Sequence, residues 1–534
     1  NALDFLPTGA TAFFFDAPRQ GAFSVLNRIL PATNGNVVVM NGTVVSSLQD
    51  GLGNFTPGGF VAFYSPTGFL IGSSAVFDIG SLMFTTLDPD LTSFENFALG
   101  AGPLNLIGQT GTTASITINP GAQIVGSAEN SFFIAAGAQI NVFGDVAING
   151  SHAYVAAEQV NLTYSNGLFD IVIPVGTSVG NALTLDGNIT GPSSNGAGDN
   201  HLIYAVAKAQ ANPVSMLFSG NLGFAPAASA GIVNGEIILS AGSDVTGNVI
   251  GPDNGVDASI QIENATISSS VTASASRDFF ALANNGPVLI DGDLTVSARD
   301  LLRIHAIAGE DLSITGSVAA FSGGLDTGPD RTAGTIEILA ADGSTLSVGG
   351  DIVALANPEE GTGARTGGVA ILNANGGLIQ VGGSVDLQAV ANGSPGGIAS
   401  GGNATLFAHN AGAIDIGGNV TLDSTALGSE FSPTDAFGGQ SDITAIDGSS
   451  IAIGGEALLL SNGFGGNSLS IGRGGNGFGG NTFINASNGG EISIAQGVAG
   501  FARGTGGNGE GGGWGNGGFG FGTSGRRWAG LFLS

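Results

Sequence analysis

The 534-residue chain contains no cysteine, and Lys208 is its only lysine. The first absence excludes thiol catalysis and disulfide staples, and it suits a chain that must stay unfolded while crossing an oxidising compartment. Charge is scarce: 10% of residues are charged, against about 25% in ordinary soluble domains. It is also lopsided, with 41 acids, 12 bases and a formal net charge of −29. Nucleic-acid binding needs clustered Lys and Arg to displace phosphate counterions, so no nucleic-acid partner is expected. Anionic lipid surfaces are disfavoured for the same reason, while self-repulsion keeps a β-rich chain from pairing edge to edge. No stretch approaches the roughly 18 uninterrupted apolar residues of a membrane-spanning helix. There is no Gly-X-Y period, which removes collagen. The four histidines, His152, His201, His305 and His409, are scattered without the spacing of a zinc site, and no cofactor is expected. The opening Asn1-Ala2-Leu3-Asp4-Phe5 lacks the basic start and apolar run of a signal peptide, which reads as a signal already removed or as an excerpt.

What the chain does have is glycine, 95 residues, together with a hydrophobic fraction of 42%. A disordered chain would be polar and charged; this one carries enough apolar surface for a core. Glycine lowers helix propensity by about 1 kcal/mol per site relative to alanine, so long helices are not expected. The apolar residues fall in short Val/Ile/Ala/Phe runs typical of strands.

These runs repeat. Leu346-Ser347-Val348-Gly349-Gly350-Asp351-Ile352-Val353 has counterparts beginning at Ile379, Ile414 and Ile451, with the first glycine of each pair at 349, 382, 417 and 454, spacings of 33, 35 and 37. Degenerate relatives lie at Leu312–Val318 and Ile492–Val498. Each unit alternates apolar and polar residues, meets a Gly-Gly pair, then alternates again, and a further strand precedes it, as in Val369-Ala370-Ile371-Leu372. Alternation puts the apolar set on one face, and the glycine pair is expected to turn a corner by adopting φ > 0. Three strands and three corners per repeat describe one turn of a parallel solenoid whose coils bury their inner faces on one another. The remainder of each unit, such as Pro358–Gly363, is expected to leave one corner as a variable loop. The glycine-dense stretch 462–524, including Gly474–Gly480 and Gly511-Gly512-Gly513-Trp514, is read as broad loops on the last coils. The end, Arg526–Ser534, is read as a cap or as the cut edge of a longer protein. Asn-Gly pairs at 34–35, 41–42, 149–150, 195–196, 234–235, 375–376 and 392–393 signal turns. They could serve hairpins in an antiparallel sandwich, but repeats in constant side-chain order favour in-register parallel stacking.

Residues 1 to about 95 are richer in phenylalanine and less regular. Phe13-Phe14-Phe15 is followed by Val25-Leu26-Asn27-Arg28-Ile29, then Asn41-Gly42-Thr43-Val44. Gly59-Phe60-Val61-Ala62-Phe63-Tyr64-Ser65-Pro66-Thr67-Gly68 comes next, and then Ala75-Val76-Phe77-Asp78-Ile79-Gly80. This order resembles the filamentous haemagglutinin N-terminal domain, the secretion domain of two-partner secretion exoproteins. The family reads Leu-Asn-Arg-Val and Asn-Pro-Asn-Gly; here Asn27 and Arg28 match the first motif, while Ser65, Pro66, Thr67 and Gly68 replace the second. Ser and Thr form the same side-chain-to-backbone turns as Asn, more weakly. The family's earliest strands are not seen before Asn1.

The resemblance implies a right-handed parallel β-helix, an all-β fold in which the secretion domain seeds the coils behind it. It also implies export through an outer-membrane β-barrel transporter of a Gram-negative bacterium to the cell surface or medium. The expected organisation is a secretion domain over 1–95, β-helix repeats over 96–500 and, over 501–534, a glycine-rich terminal region or the start of further repeats.

Catalysis needs its own constellation. Asp291 and Asp293, two apart, would share a face if Ile290–Leu294 were a strand, and paired carboxylates can act as acid and base. A solvated corner is the plainer account. His305 lies near Arg299, Asp300 and Arg303, which reads as an outward polar patch. Gly176-Thr177-Ser178-Val179-Gly180 fits the G-x-S-x-G elbow by letters but precedes an alternating strand rather than a helix. Gly474-Gly475-Asn476-Gly477-Phe478-Gly479 lacks the aspartate of a calcium-binding nonapeptide. The expectation is a non-enzymatic surface exoprotein, an adhesin or structural fibre, with itself and host or cell-surface glycans as further candidate partners. A polysaccharide-cleaving β-helix enzyme and the stem of a larger contact-dependent toxin are the alternatives.

Overall fold

The structure, a computed structural model, describes residues 2–16, 23–30, 35–50, 52–194, 200–225, 235–324, 329–471, 473–510, 527–528 and 531–533. The turn signals at Asn34, Asn195-Gly196 and Asn234 lie outside the described residues, as do Gly511–Trp514 and Arg526. Contacts divide the chain into two units, Asn1–Ser276 and Arg277–Ser534. Neither expected boundary coincides with this division. Parallel pairing runs on past residue 95, from Phe69–Ile71 to Ser115–Ile118, and one strand, Gly497–Phe501, crosses residue 500.

In the first unit, three parallel ladders rise together. The first starts with Ala2–Leu6 on Val37–Met40, the second with Thr11–Phe15 on Thr43–Gln49, and the third with Ser24–Arg28 on Phe60–Tyr64. The third continues through Ser81–Thr85, Gln123–Gly137, Asp145–Ser165, Leu202–Ala207, Glu236–Ala241 and Ser270–Ala275. Side chains alternate: Val38, Met40, Val44, Phe69, Ile71, Phe77 and Ile79 are all fully buried. The phenylalanine surplus fills this core, with Phe84 touching Phe63, Phe69, Phe77 and Phe133 at 5.3–6.4 Å between ring centroids. Each such burial contributes roughly 1.5–3 kcal/mol.

This unit also carries what the repeat pattern did not foretell, an antiparallel flank. Leu104–Ile107 and Leu168–Gly176 both pair antiparallel with the long strand Asp145–Ser165, and Ser243–Thr246 continues the sheet. The hairpin between Asp145–Ser165 and Leu168–Gly176 turns at Asn166-Gly167, whose φ of 51° and 81° suit an Asn-Gly turn. Sequence reading did not single out that pair. Among the described residues the one α-helix, Leu91–Ala98, is capped by Asp90, whose Oδ1 accepts the Ser93 N–H at 2.8 Å. It buries Phe94 and Phe97 against Phe60.

The second unit holds the regular repeats. Seven long strands, from Asp278–Ala283 through Thr335–Ala341 and Val369–Asn375 to Asn481–Ser487, form one ladder. Leu312–Ile314, Thr345–Val348, Leu378–Val381, Ala413–Ile416, Ser450–Ile453 and Glu491–Ile494 belong to a second. Ile352–Leu355, Val385–Gln388, Val420–Asp423 and Glu456–Leu460 belong to a third. Every expected repeat occupies consecutive rungs in register. The Gly-Gly corners, however, do not use φ > 0; none of Gly349, Gly382, Gly417 and Gly454 is left-handed. Their reason is steric. A Cβ on Gly382 would stand 2.3 Å from Gly349 O, and one on Gly417 2.5 Å from Gly382 O. The left-handed corner is elsewhere, after the long strands: Asp342-Gly343, Asn410-Ala411, Asp447-Gly448 and Asn488-Gly489 have φ of 51–81°.

The expected variable loops are also ordered. Arg331–Thr332, Arg365–Thr366, Ala399–Ser400, Ala436–Phe437 and Gly477–Phe478 form a fourth parallel ladder. Ala391–Asn392, Ala426–Leu427, Gly463–Phe464 and Gly504–Thr505 form a fifth. Ala391, Ala399, Ala426 and Ala436 make a small core between the two. They stack because glycine lets two backbones meet: a Cβ on Gly463 would lie 2.1 Å from Phe478 O. The last rung is covered antiparallel, Leu531–Leu533 pairing with Ile492–Ile494 and Arg527–Trp528 with Val498 and Ala499.

Candidate functional site

Parallel pairing of Ser24–Arg28 with Phe60–Tyr64 sets Asn27 opposite Phe63 and Arg28 opposite Tyr64. The strand carrying Asn27 and Arg28 is thus brought against the strand that runs into Ser65-Pro66-Thr67-Gly68. Asn27 Nδ2 donates to Ala62 O at 3.1 Å. The Arg28 guanidinium stands 5.2 Å from the Tyr64 ring centroid and donates to Asp88 Oδ2 at 2.9 Å; Oδ1, 2.8 Å from the same nitrogen, is an ion-pair contact only. Burial raises the Tyr64 pKa, the Asp88 charge adds to that and Arg28 opposes it.

The turn is held from within and without. Ser65 Oγ lies 3.1 Å from Thr67 Oγ1, and Gly68 N–H donates to Ser65 O at 3.3 Å. Thr67 Oγ1 donates to Asn36 O at 2.6 Å, and Gly68 O accepts the Val38 N–H at 3.1 Å, tying the turn to the preceding rung. Gly68 has φ +94°, and a Cβ there would meet Ser115 O at 2.5 Å, so glycine is required on both counts. Pro66 follows the strand end, where a missing N–H costs least. Tyr64 and Asp88, which complete the cluster, carried no signal in the sequence; register reveals the first and the ion pair with Arg28 the second.

The candidate carboxylates resolve differently. Ile290 ends its strand, so Asp291-Gly292-Asp293 is a corner rather than a strand face. Asp293 Oδ1 accepts the Ser317 N–H at 2.7 Å, and Asp291 Oδ1 accepts the Thr315 hydroxyl at 2.9 Å. Asp293 opens a series at one repeat position. Ser317 Oγ accepts from Asp351 N, Asp351 Oδ1 from Ser384 N, Ser384 Oγ from Asn419 N and Asn419 Oδ1 from Glu456 N, at 2.7–3.1 Å. The residues after the first three Gly-Gly pairs, Asp351, Ser384 and Asn419, therefore satisfy the next rung's backbone, and these groups are structural.

The histidines separate. His305 is nearly buried on the outer face, 3.2 Å from Glu337 Oε2, which Arg303 Nε also meets at 3.2 Å. His305 chiefly, with Arg303, holds the Glu337 carboxyl below its usual range against the opposing effect of burial. Of the basic residues expected in that patch, Arg303 reaches the carboxylate. His409 stacks on Phe407 at 4.6 Å. His152 and His201 lie in the first unit near Phe224. Ser178 Oγ donates to the buried Glu158 at 2.9 Å beside a parallel bridge between Thr177 and Ala209, with no helix following. Lys208 is a cross-link, donating to Asp244 Oδ1 at 2.8 Å and Ile173 O at 3.2 Å. Gly474–Gly479 lies in the stacked arm, where Gly477–Phe478 is a strand. Among the described residues no group of three or more His, Asp or Glu is placed to hold a metal ion. Compared with known proteins, the chain matches no family model and no curated protein.

Proposed function

We propose that the chain is a secreted bacterial exoprotein, exported by an outer-membrane β-barrel transporter and displayed as an adhesin or structural fibre. In this reading its ladders wind as a right-handed parallel β-helix of three-strand coils, and residues 1–95 are the export and nucleation segment. The observation that supports it is the pairing of Ser24–Arg28 with Phe60–Tyr64, which sets the first motif of the family resemblance beside the strand that leads into the second. Function then lies in display, with no turnover of polysaccharide expected. Stacking copies end to end is a further part of the proposal.

Export is tested by expressing the chain behind a general secretion signal, with and without a two-partner transporter, and measuring protein in the medium. Transporter-dependent release is expected, reduced at least tenfold by Arg28→Ala, while the purified variant loses no more than about 1 kcal/mol because the ion pair is partly exposed. Release that ignores the transporter, or an Arg28→Ala variant released like the wild type, would overturn the reading.

A further inference from the structure

The glycine-rich arm of the second unit carries a groove of about 650 Å³ that crosses four rungs. Its floor is the fifth ladder, in which Asn392, Leu427, Phe464 and Thr505 follow one another in register. Adjacent strands lie about 4.8 Å apart, so these four side chains spread over about 14 Å. Leu427 and Phe464 are 39% and 37% exposed, large for side chains in an ordered ladder. Asn467 stands on the rim, its Oδ1 accepting the Asn508 N–H at 2.9 Å, which fixes the orientation of its amide.

The groove is built rather than incidental. A Cβ on Gly477 would lie 2.2 Å from Thr505 O, and one on Gly465 2.1 Å from Gly475 O, so the two layers behind the floor are in backbone contact and cannot collapse further. A pre-formed site loses little entropy when a ligand enters.

Its chemistry narrows the ligand. Among the described residues Glu430 is the one charged side chain lining it, in a chain of net charge −29, which opposes polyanions. An extended peptide would need an unpaired strand edge, yet the floor's amides are spent between rungs: Gly393 N–H donates to Leu427 O at 2.6 Å, Gly428 to Phe464 O at 2.6 Å and Gly465 to Thr505 O at 2.7 Å. Remaining are apolar faces for sugar C–H groups and amides and hydroxyls for sugar hydroxyls. They repeat at a strand spacing close to the length of one pyranose ring.

We propose that this groove binds a neutral linear oligosaccharide of about three units lying along the stack. The proposal supplies a ligand for the displayed protein and rests on that reading only for its biological setting. The test titrates the purified full chain with neutral gluco-, manno-, galacto- and N-acetyl-chito-oligosaccharides of one to six units, read by saturation-transfer NMR, with a heparin hexasaccharide as the polyanion. Affinity is expected to rise with length to about three units and then level. Phe464→Ala and Leu427→Ala should each weaken it at least tenfold with an unchanged circular dichroism spectrum, while Phe483→Ala, an exposed phenylalanine of the long-strand ladder, binds as the wild type. The proposal is overturned by absence of binding across the neutral panel, by tighter binding of heparin, or by a folded Phe464→Ala variant that binds normally. Transporter dependence does not enter this titration, so the export reading and the groove fail separately.

Discussion

His152 occupies a position on the third ladder of the first unit whose register partners, Phe133 and Ile203, are apolar. It is fully buried, 3.3 Å through Nδ1 from the Tyr154 hydroxyl, with Phe224 and His201 close by. Burial depresses its pKa to about 3; the Thr190 backbone opposes that shift and His201 reinforces it. The folded pKa is thus below the unfolded value of about 6.5. Between the two, the unfolded chain binds a proton that the folded chain refuses, so stability is lost as pH falls from about 6.5 towards 3. At pH 4.5 the loss is about 2–3 kcal/mol. His152→Phe should remove it. The urea midpoint of the first unit is expected to drop less between pH 7 and pH 4.5 in the variant than in the wild type. Equal drops would mean that His152 does not titrate on unfolding. Any cost of leaving the Tyr154 hydroxyl without its partner is independent of pH in this range and cancels in the comparison.

At the scale of elements, the glycine pairs that mark the repeats act through contact between rungs. Gly382→Ala places a Cβ 2.3 Å from Gly349 O, a backbone atom that can move only by parting two rungs. A cost of roughly 1–3 kcal/mol is expected, the range of overpacking, seen as faster hydrogen exchange in Leu378–Val381 and Val385–Gln388. Gly180→Ala, where a Cβ meets nothing within 4 Å, should be neutral or slightly stabilising. If both exchange alike, the pair is conformational after all. The repeats were legible because Leu346–Leu355 and its counterparts keep both side-chain alternation and the stacked glycine. The arm was not, since Ala399–Ser400 and Gly477–Phe478 are two-residue strands with no alternation to read, held by glycine contacts that exist only between rungs. The antiparallel flank was hidden for another reason. Asp145–Ser165 first pairs parallel and then antiparallel, and a single run of apolar residues does not say where the partner changes. Asn27, Arg28 and the Ser65–Gly68 turn could be read from motif order, whereas Asp88 joins them through an ion pair that no local pattern encodes.

At the scale of the molecule, stability in stacked repeats is a sum of rungs and of interfaces between neighbours. In the second unit each rung offers the next the same corner glycine and the same cap, so the rungs should be interchangeable. Gly382 and Gly417 are equivalent positions, 35 residues apart, each followed by a second glycine. Removing residues 383–417 joins Gly382 to Gly418, leaves the repeat pattern as Val-Gly-Gly-Asn-Val at the junction, and lets Val420–Asp423 pair with Ile352–Leu355 in place of Val385–Gln388. Ser384 is lost from the cap series, but Asp351 can accept the Asn419 N–H as it accepts that of Ser384. The shortened chain is expected to fold with an unchanged β signature in circular dichroism and to unfold slightly earlier, having one interface fewer. Removing only residues 383–399 deletes Val385–Gln388, Ala391–Asn392 and half of Ala399–Ser400 without the rest of their rung, and should leave the second unit unable to close its ladders, with exposed apolar surface and aggregation. If both deletions behave alike, stability in this unit does not reside in register between rungs. If only the in-phase deletion folds, the repeat read from four glycine pairs is the physical unit of the fold.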